Sequence, residues 1–475
     1  MIDHFRVLVR KRGSDRPALA GVLALWAVMT GIVIGGIITY SHNVPLAEDW
    51  DMVPALTGQQ PNLLEWLWAQ NNEHRLPLQK AIYLVLLKLS GGDFRIGMIA
   101  STLMLAGVCL AMILTTRRLR GGQTRLADAF FPLALLHLGH WENMVWSWQI
   151  QFVISTLLVC VWLLIIVRDR WPLPPKIALA AGVILVLLPL SGANGVLLTP
   201  FVASWLAAGT VLHRRCTTST WITPFQSACV ILSIASAGLY FVDYVHPSWA
   251  PANPGLVPTV VAAVRFVGMA FGPVAAGKVH PKWISSVVIC AAAFLLASSI
   301  IPLWRGLFTE RTSLARSRAS GLLVFAAAIV ALVLVMGWGR AGWVPRFGMP
   351  DRYALLSVPG LCAAYFAWML YGPEAVRDRI AIAFAITSLL ALPFNIRDGL
   401  AWRDWYVTGM RAFEHDLSAG SSWQELGDKH HNFLMHWNRD VLVERMRMLH
   451  RAKIGPLGRA TPLRLNCPGA LRELN

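Results

Sequence analysis

The sequence predicts an all-α, polytopic transmembrane helical bundle of about 10–12 spans, with outer-face surface helices and a small helical C-terminal domain. Three observations predict it. First, 56% of the 475 residues are hydrophobic and only 14% are charged, whereas a soluble domain is nearer a quarter charged. Second, continuous apolar runs recur along the chain, several matching the roughly 20 residues that a helix needs to cross about 30 Å of hydrocarbon. They do not alternate, so strands are excluded as spans. Third, the basic residues behind the formal net charge of +17 sit in short connectors between those runs. That is the pattern of cytoplasmic loops under the positive-inside rule, and it argues against a nucleic-acid surface.

The elements follow in order. Residues 1–17 form a basic, cytoplasmic N-terminus. Ala18 to Tyr40 is too long for a signal-peptide core and lacks a small-residue cleavage site, so it reads as an uncleaved first span. An outer loop, residues 41–94, carries "AEDWD" and "NNEHR". Its apolar stretch around Lys80 and Lys88 must lie on the surface, because a crossing there would put the basic "RRLRGGQTR" outside. Both lysines can snorkel from such a helix.

Spans then run from Arg95 to the "RRLR" loop, from Asp128 to about His140, from Ile150 to Val167, from Ile177 to Leu190, from Val196 to Leu212 and from Trp221 to Tyr240. The same parity argument makes 260–276, with Arg265 inside it, surface-lying or re-entrant. Ile284–Leu303, Ala319–Gly337, Tyr353–Leu370 and Ile380–Phe394 complete a transmembrane domain over 18–394. Residues 395–475 form a small helical domain on the outer side, with Trp402, Trp405, Tyr406 and Phe413 on one face of its first helix. The seven cysteines show neither disulfide nor zinc spacing, and no internal repeat is visible.

This topology rests on the basic loops alone, yet it gathers the unusual polar residues on one side. They are the carboxylates Glu48, Asp49 and Asp51; Glu73, His74 and Arg75; Glu142, Asn143 and Gln149 in "HWENMVWSWQ"; Asn194 in "SGANG"; and Arg340, Arg346, Arg352 and Tyr353 in "WGRAGWVPRFGMPDRY". Each has a plainer reading. Acids beside a span can cap the next helix, arginines at span ends anchor to headgroups, the tryptophans can form an interfacial belt, and "SGANG" makes a tight turn.

A first span followed at once by an outer acidic motif and surface helices resembles the C-type (GT-C) glycosyltransferases. "EDWD" stands where that family carries paired acids. "DRYALLSVPGL" (351–361) is similar to a late R-Y-x-L-P-x-x-P element, matching at Arg352, Tyr353 and Pro359 and lacking the inner proline. The resemblance covers the architecture of roughly the first 395 residues. It implies a membrane glycosyltransferase in a bacterial cytoplasmic membrane, with a periplasmic active site. The donor would be a polyprenyl-phosphate sugar, and the acceptor an envelope glycan, lipid or protein. Membrane lipids are the other partners, and no nucleic acid is involved.

The residue types fit that chemistry. An acceptor hydroxyl loses its proton to a carboxylate base, and the leaving phosphate needs only a cation such as the Arg fork. By its match to the motif, Asp49 is the first choice for the base and Asp51 the second, with Glu48 tuning them. Arg352 and Arg346, then Arg340 and Arg75, are the phosphate ligands. Glu73, His74, Glu142, Asn143, Gln149, Asn194 and Tyr353 contact substrate, with Trp146 or Trp148 stacking on a sugar. No cofactor is required; a divalent cation at Glu73 and His74 with Asp49 or Asp51 is the one possibility. The alternative is a transporter or flippase for an anionic lipid or glycan.

Overall fold

The computed structural model describes residues 16–169, 173–216, 221–276, 280–310, 312–344 and 348–460. Arg346, one of the expected phosphate ligands, lies outside them, as does most of the basic N-terminus. Helices of eight or more residues are numbered in chain order. They are α1 (Arg16–Tyr40), α2 (Pro77–Leu89), α3 (Ile96–Leu119), α4 (Ile150–Arg168), α5 (Pro175–Leu187), α6 (Ala193–Cys216), α7 (Ile222–Leu239) and α8 (Leu256–Gly268). There follow α9 (Lys282–Ser298), α10 (Ile300–Phe308), α11 (Ser313–Arg340), α12 (Ala354–Tyr371), α13 (Glu374–Ser418), α14 (Trp423–His430) and α15 (Arg439–Arg451). The only strands among the described residues form a hairpin pairing Gln70 with Arg75 and Asn71 with His74.

Among the described residues, nine helices are long and apolar enough to cross a membrane. Two apolar helices, α12 and α4, occupy the centre: 94% and 89% of their apolar windows are buried, against 22% for α1 and 28% for α13. A helix that is apolar all round must be surrounded by apolar neighbours. Here α4 and α12 find them in protein, while α1, α7 and α13 leave apolar faces uncovered.

Three expected elements take a different form. Residues 128–140 are not one straight helix but short pieces, with Phe130–Leu135 the longest, broken around His137 and Gly139. The segment and the residues that follow it still run alongside the first two-thirds of α12. Asp128 accepts hydrogen bonds from Arg120 Nη1 at 2.7 Å and Tyr365 OH at 2.7 Å, and Asn143 donates to the Arg352 carbonyl at 3.0 Å. Arg352 and Tyr365 are thirteen residues apart, roughly 20 Å of helix. The segment's irregular backbone is enclosed by protein: nearly every residue from 127 to 149 is buried.

The second difference is α2. It has only 13 residues, but Lys80 does not snorkel. It is buried, and its ammonium donates to the Trp66 and Ala69 carbonyls, both at 2.9 Å. Lys88 is exposed. Similarly, α5 has only 13 residues.

The third is α13, which continues through the boundary expected at 394/395 for 45 residues in all, about 67 Å. Asn395 sits within it, fully buried. Its Nδ2 donates to the Phe271 carbonyl at 2.7 Å, and its Oδ1 accepts from Val274 N at 3.1 Å. Gly272 between them has φ +109°, a conformation that disfavours any side chain. Gly399, one turn further on, lets α13 approach the Leu138 carbonyl, into which a Cβ would collide. Beyond α13, α14 starts with a capping box of Ser422 and Glu425 and α15 with an Asn438 cap.

Asn395→Ala orphans one buried backbone donor and one acceptor. It should cost about 2–4 kcal/mol, seen as a lower thermal midpoint in detergent. An unchanged midpoint would show that Asn395 does not hold the 271–274 turn to α13.

Candidate functional site

The acidic motif folds as a 3₁₀ helix, Ala47–Met52. At three residues per turn, side chains three apart eclipse. Glu48 and Asp51 therefore share a face, and Asp49 points away from it. The hairpin meets the shared face: Asn72 Nδ2 donates to Glu48 Oε1 at 3.2 Å, and Asn71 Nδ2 donates to Asp51 Oδ2 at 2.8 Å. The turn is entered through Ala47 at φ 48°, left-handed backbone that costs a non-glycine residue about 1–2 kcal/mol. Its N–H is held by the Leu434 carbonyl at 2.8 Å.

Beside this face lies a cavity of about 180 Å³. Seven of the residues expected from sequence line it: Glu48, Glu73, His74, Gln149, Arg340, Arg352 and Tyr353. Arg340 and Arg352 lie over the Tyr353 ring, 5.1 and 5.4 Å from its centroid. Arg340 is paired with Glu73 at 2.7 Å. Arg352 Nη1 is paired with Glu142, whose other oxygen accepts from the Arg352 backbone N–H at 3.0 Å. A guanidinium carries five N–H donors, and the Arg352 side chain, 30% exposed, keeps some of them open to a ligand. Glu142 and Asn143 thus act on Arg352 and do not line the cavity.

Glu48 is the motif acid that lines the cavity. Its Oε2 is buried without a hydrogen-bond partner among the described residues. Burial, opposed by a backbone hydrogen bond and by Arg352, pushes its carboxyl up to about 7. His74 also lines the cavity, and its buried Nδ1 has no partner among the described residues. Burial lowers it to about 4, so the ring is neutral near pH 7.

Several expected roles are corrected. Asp49 is fully buried outside the cavity, accepting from Leu46 N at 3.2 Å and Tyr83 OH at 3.0 Å. Burial raises it to about 8. It pins the 3₁₀ turn to α2. Asp51 is paired with Arg445 of α15 at 2.6 Å and is committed to holding the C-terminal helices. Arg75 is no phosphate ligand: its guanidinium donates to the carbonyls of Trp68, Tyr240 and Val242 at 2.9, 3.1 and 2.7 Å. The strand alternation of the hairpin sends His74 to the cavity and Arg75 the other way. Asn194 lines a separate small void with Thr156 and Pro359.

Trp146 is buried but does not line the cavity, whereas Trp148 does. Of the residues first brought in by the structure, Trp249 and Trp343 also line it, edge to face with centroids 5.9 Å apart. Their signal in sequence was only the tryptophan density of two loops. Asn71 and Asn72, the acid-orienting pair, were visible in "NNEHR" but carry no pattern of their own. Among the described residues no group of three or more His, Cys, Asp or Glu converges as a metal site. No family model, curated protein or solved structure matches the chain.

The Asp49 environment sets a pH dependence. Its folded value, about 8, lies above the ordinary 3.8, so the folded state holds a proton that the unfolded state has released. The resulting stability is complete below pH 4 and is lost as pH rises through 8. Asp49→Asn should remove that slope, up to about 1.4 kcal/mol per pH unit. Thermal midpoints at pH 5 and 8.5 should then lie closer together than in the parent. An unchanged gap would show that Asp49 holds no extra proton.

Proposed function

We propose that the chain is a membrane glycosyltransferase. It moves a sugar from a polyprenyl-phosphate donor to an acceptor hydroxyl on an envelope glycan, lipid or protein, at the outer face of a bacterial cytoplasmic membrane. The observation that carries this reading is one cavity lined both by Glu48, one of whose carboxylate oxygens has no partner among the described residues, and by two arginines around a tyrosine. Glu48 replaces Asp49 as the base. Its Oε2 takes the acceptor proton as the hydroxyl oxygen bonds to the anomeric carbon. The bond from that carbon to the phosphate oxygen breaks, and the electron pair leaves on a phosphate held by Arg352 and Arg340. The leaving group is already an anion, so no strong acid is required. Asn72 orients the base, and Glu142 sets the angle of the guanidinium. Tryptophans 148, 249 and 343 offer apolar faces to the sugar.

A second feature supports the lipid carrier. An apolar cavity of about 370 Å³ lies between α9, α10, α11 and α12, lined by residues such as Leu303, Ile329, Leu334 and Ala363. Leu334 is six residues from Arg340 on α11, about 9 Å along the axis. A phosphate at the arginines would leave its hydrocarbon tail beside this groove.

The transporter or flippase reading has one observation in its favour. The broken crossing at 128–145 is the kind of interrupted segment that transporters build their sites from.

With polyprenyl-phosphate sugars, Glu48→Gln should lower transfer by about 10²–10⁴-fold, while Asp49→Asn, outside the cavity, keeps most of it. The rate should rise with pH through about 7, as Glu48 loses its proton, and Glu48→Gln should abolish that limb. Arg352→Ala should raise the KM for donor. Full activity in Glu48→Gln would sink the assignment of the base. Movement of labelled donor lipid across proteoliposomes, with no transfer by any variant, would favour the flippase.

A further inference from the structure

Another cavity, about 570 Å³, lies across the turn Asp351–Tyr353 from the candidate site. Arg352 and Tyr353 face the first cavity, while Asp351 faces this one. Its main wall is the polar part of α13, with Arg397, Asp398, Trp402 and Trp405, and His280 lines it as well.

We propose that this cavity is a second saccharide-binding site, separate from the first. The two indoles stand nearly perpendicular, at 80°, with centroids 5.1 Å apart. Their orientation is fixed from outside. Trp402 Nε1 donates to Asp351 Oδ2 at 3.2 Å, and Trp405 packs on Phe433 at 5.1 Å. Trp405 is 38% exposed, so a rigid apolar surface opens onto the cavity. Opposite in character is His280, whose side chain is only 3% exposed. Its Nε2 lies 2.8 Å from each Asp398 oxygen. A carboxylate only accepts, so Nε2 carries the proton. Nδ1 is buried and has no partner among the described residues. The histidine itself forms part of the cavity wall.

The combination selects the ligand. A sugar ring presents an apolar C–H face to an indole and, around its edge, hydroxyls that both donate and accept. The cavity supplies the complement: a polar rim of Asp351, Asp398, Arg397 and His280 around the indole surface. Three charged side chains and a polar histidine make it unsuited to a fatty chain. The hydroxyls can come from a free glycan or from a glycolipid headgroup, because the chemistry is shared.

The test uses the full chain. One arm titrates detergent-purified protein with maltose, cellobiose and chitobiose by saturation-transfer NMR. The other titrates soluble protein-loaded nanodiscs against otherwise identical discs containing a glycosyl diacylglycerol. Binding in the first arm identifies a free-glycan site, and binding only in the second a glycolipid site. Trp402→Ala and Asp398→Asn should each weaken it about tenfold. Trp405→Ala, at an exposed position, provides the same reading should Trp402→Ala fold poorly. Absence of binding in both arms, or unchanged binding in Asp398→Asn and Trp405→Ala, overturns the proposal. Binding here does not require chemistry in the first cavity: a protein that binds sugar at these residues and transfers none refutes the transferase and leaves this site standing.

Discussion

Everything around the candidate site depends on how the turn Asp351–Tyr353, which leads into α12, is tied to the broken segment at 128–145. Glu142 accepts from both the guanidinium and the backbone N–H of Arg352, and Asn143 donates to the carbonyl of the same residue. One residue is thus gripped at three points by two neighbours. A buried acid is costly without a partner, and Glu142 is only 4% exposed, so the pair must stay closed. Closing it orients three successive side chains. Asp351 is turned to the Trp402 side, and Arg352 and Tyr353 to the other. The same contact explains why a segment without a continuous helix can run beside α12. Its far end is held by Arg120 and Tyr365 on Asp128, and its near end by Arg352.

The carboxylate wall is built from equally distant pieces of chain. The turn at 47–52 enters through a strained Ala47. That strain persists because Leu434, Arg445 and Tyr83 hold the turn from three directions. The C-terminal helices are therefore part of the site's framework. His42 adds a further tie, its ring 2.8 Å from Glu414 and its N–H donating to Tyr406 OH at 3.1 Å. Backbone strain of this kind survives where its surroundings over-determine it, and here they include two segments almost 400 positions apart.

The long apolar helices were legible in the sequence because continuous hydropathy over some twenty residues has few other solutions. The convergence of Glu73, His74, Gln149, Arg340 and Arg352 was legible too, because the distribution of basic loops assigned their segments to one side. What could not be read was direction on a short scale. Three acids in four positions look equivalent until the pitch of the turn is known. At three residues per turn Glu48 goes with Asp51, and Asp49 is left to the core; at 3.6 the division is less clean. The same holds for His74 and Arg75, which a two-residue strand sends to opposite faces. Lys80 was misread for another reason: composition cannot show that the short helix at 63–68 ends with two carbonyls in reach of an ammonium. Nor does any local pattern in 128–140 distinguish a straight span from one interrupted at His137.

The uninterrupted α13 has a mechanical consequence. Its apolar half lies among the spans, and its polar half carries Asp398, Trp402, Tyr406 and Glu414. Ser418 is twenty-five residues from Pro393, a lever arm of roughly 37 Å. A tilt of about 5° at the proline would sweep the far end through roughly 3 Å, the length of a hydrogen bond. Bilayers of different thickness impose tilts of that order on spans. A displacement of that size matches the 2.8 Å contact between His42 and Glu414, so the anchoring of α13 at Asn395 and Gly399, just beyond the proline, is what keeps its far end in register.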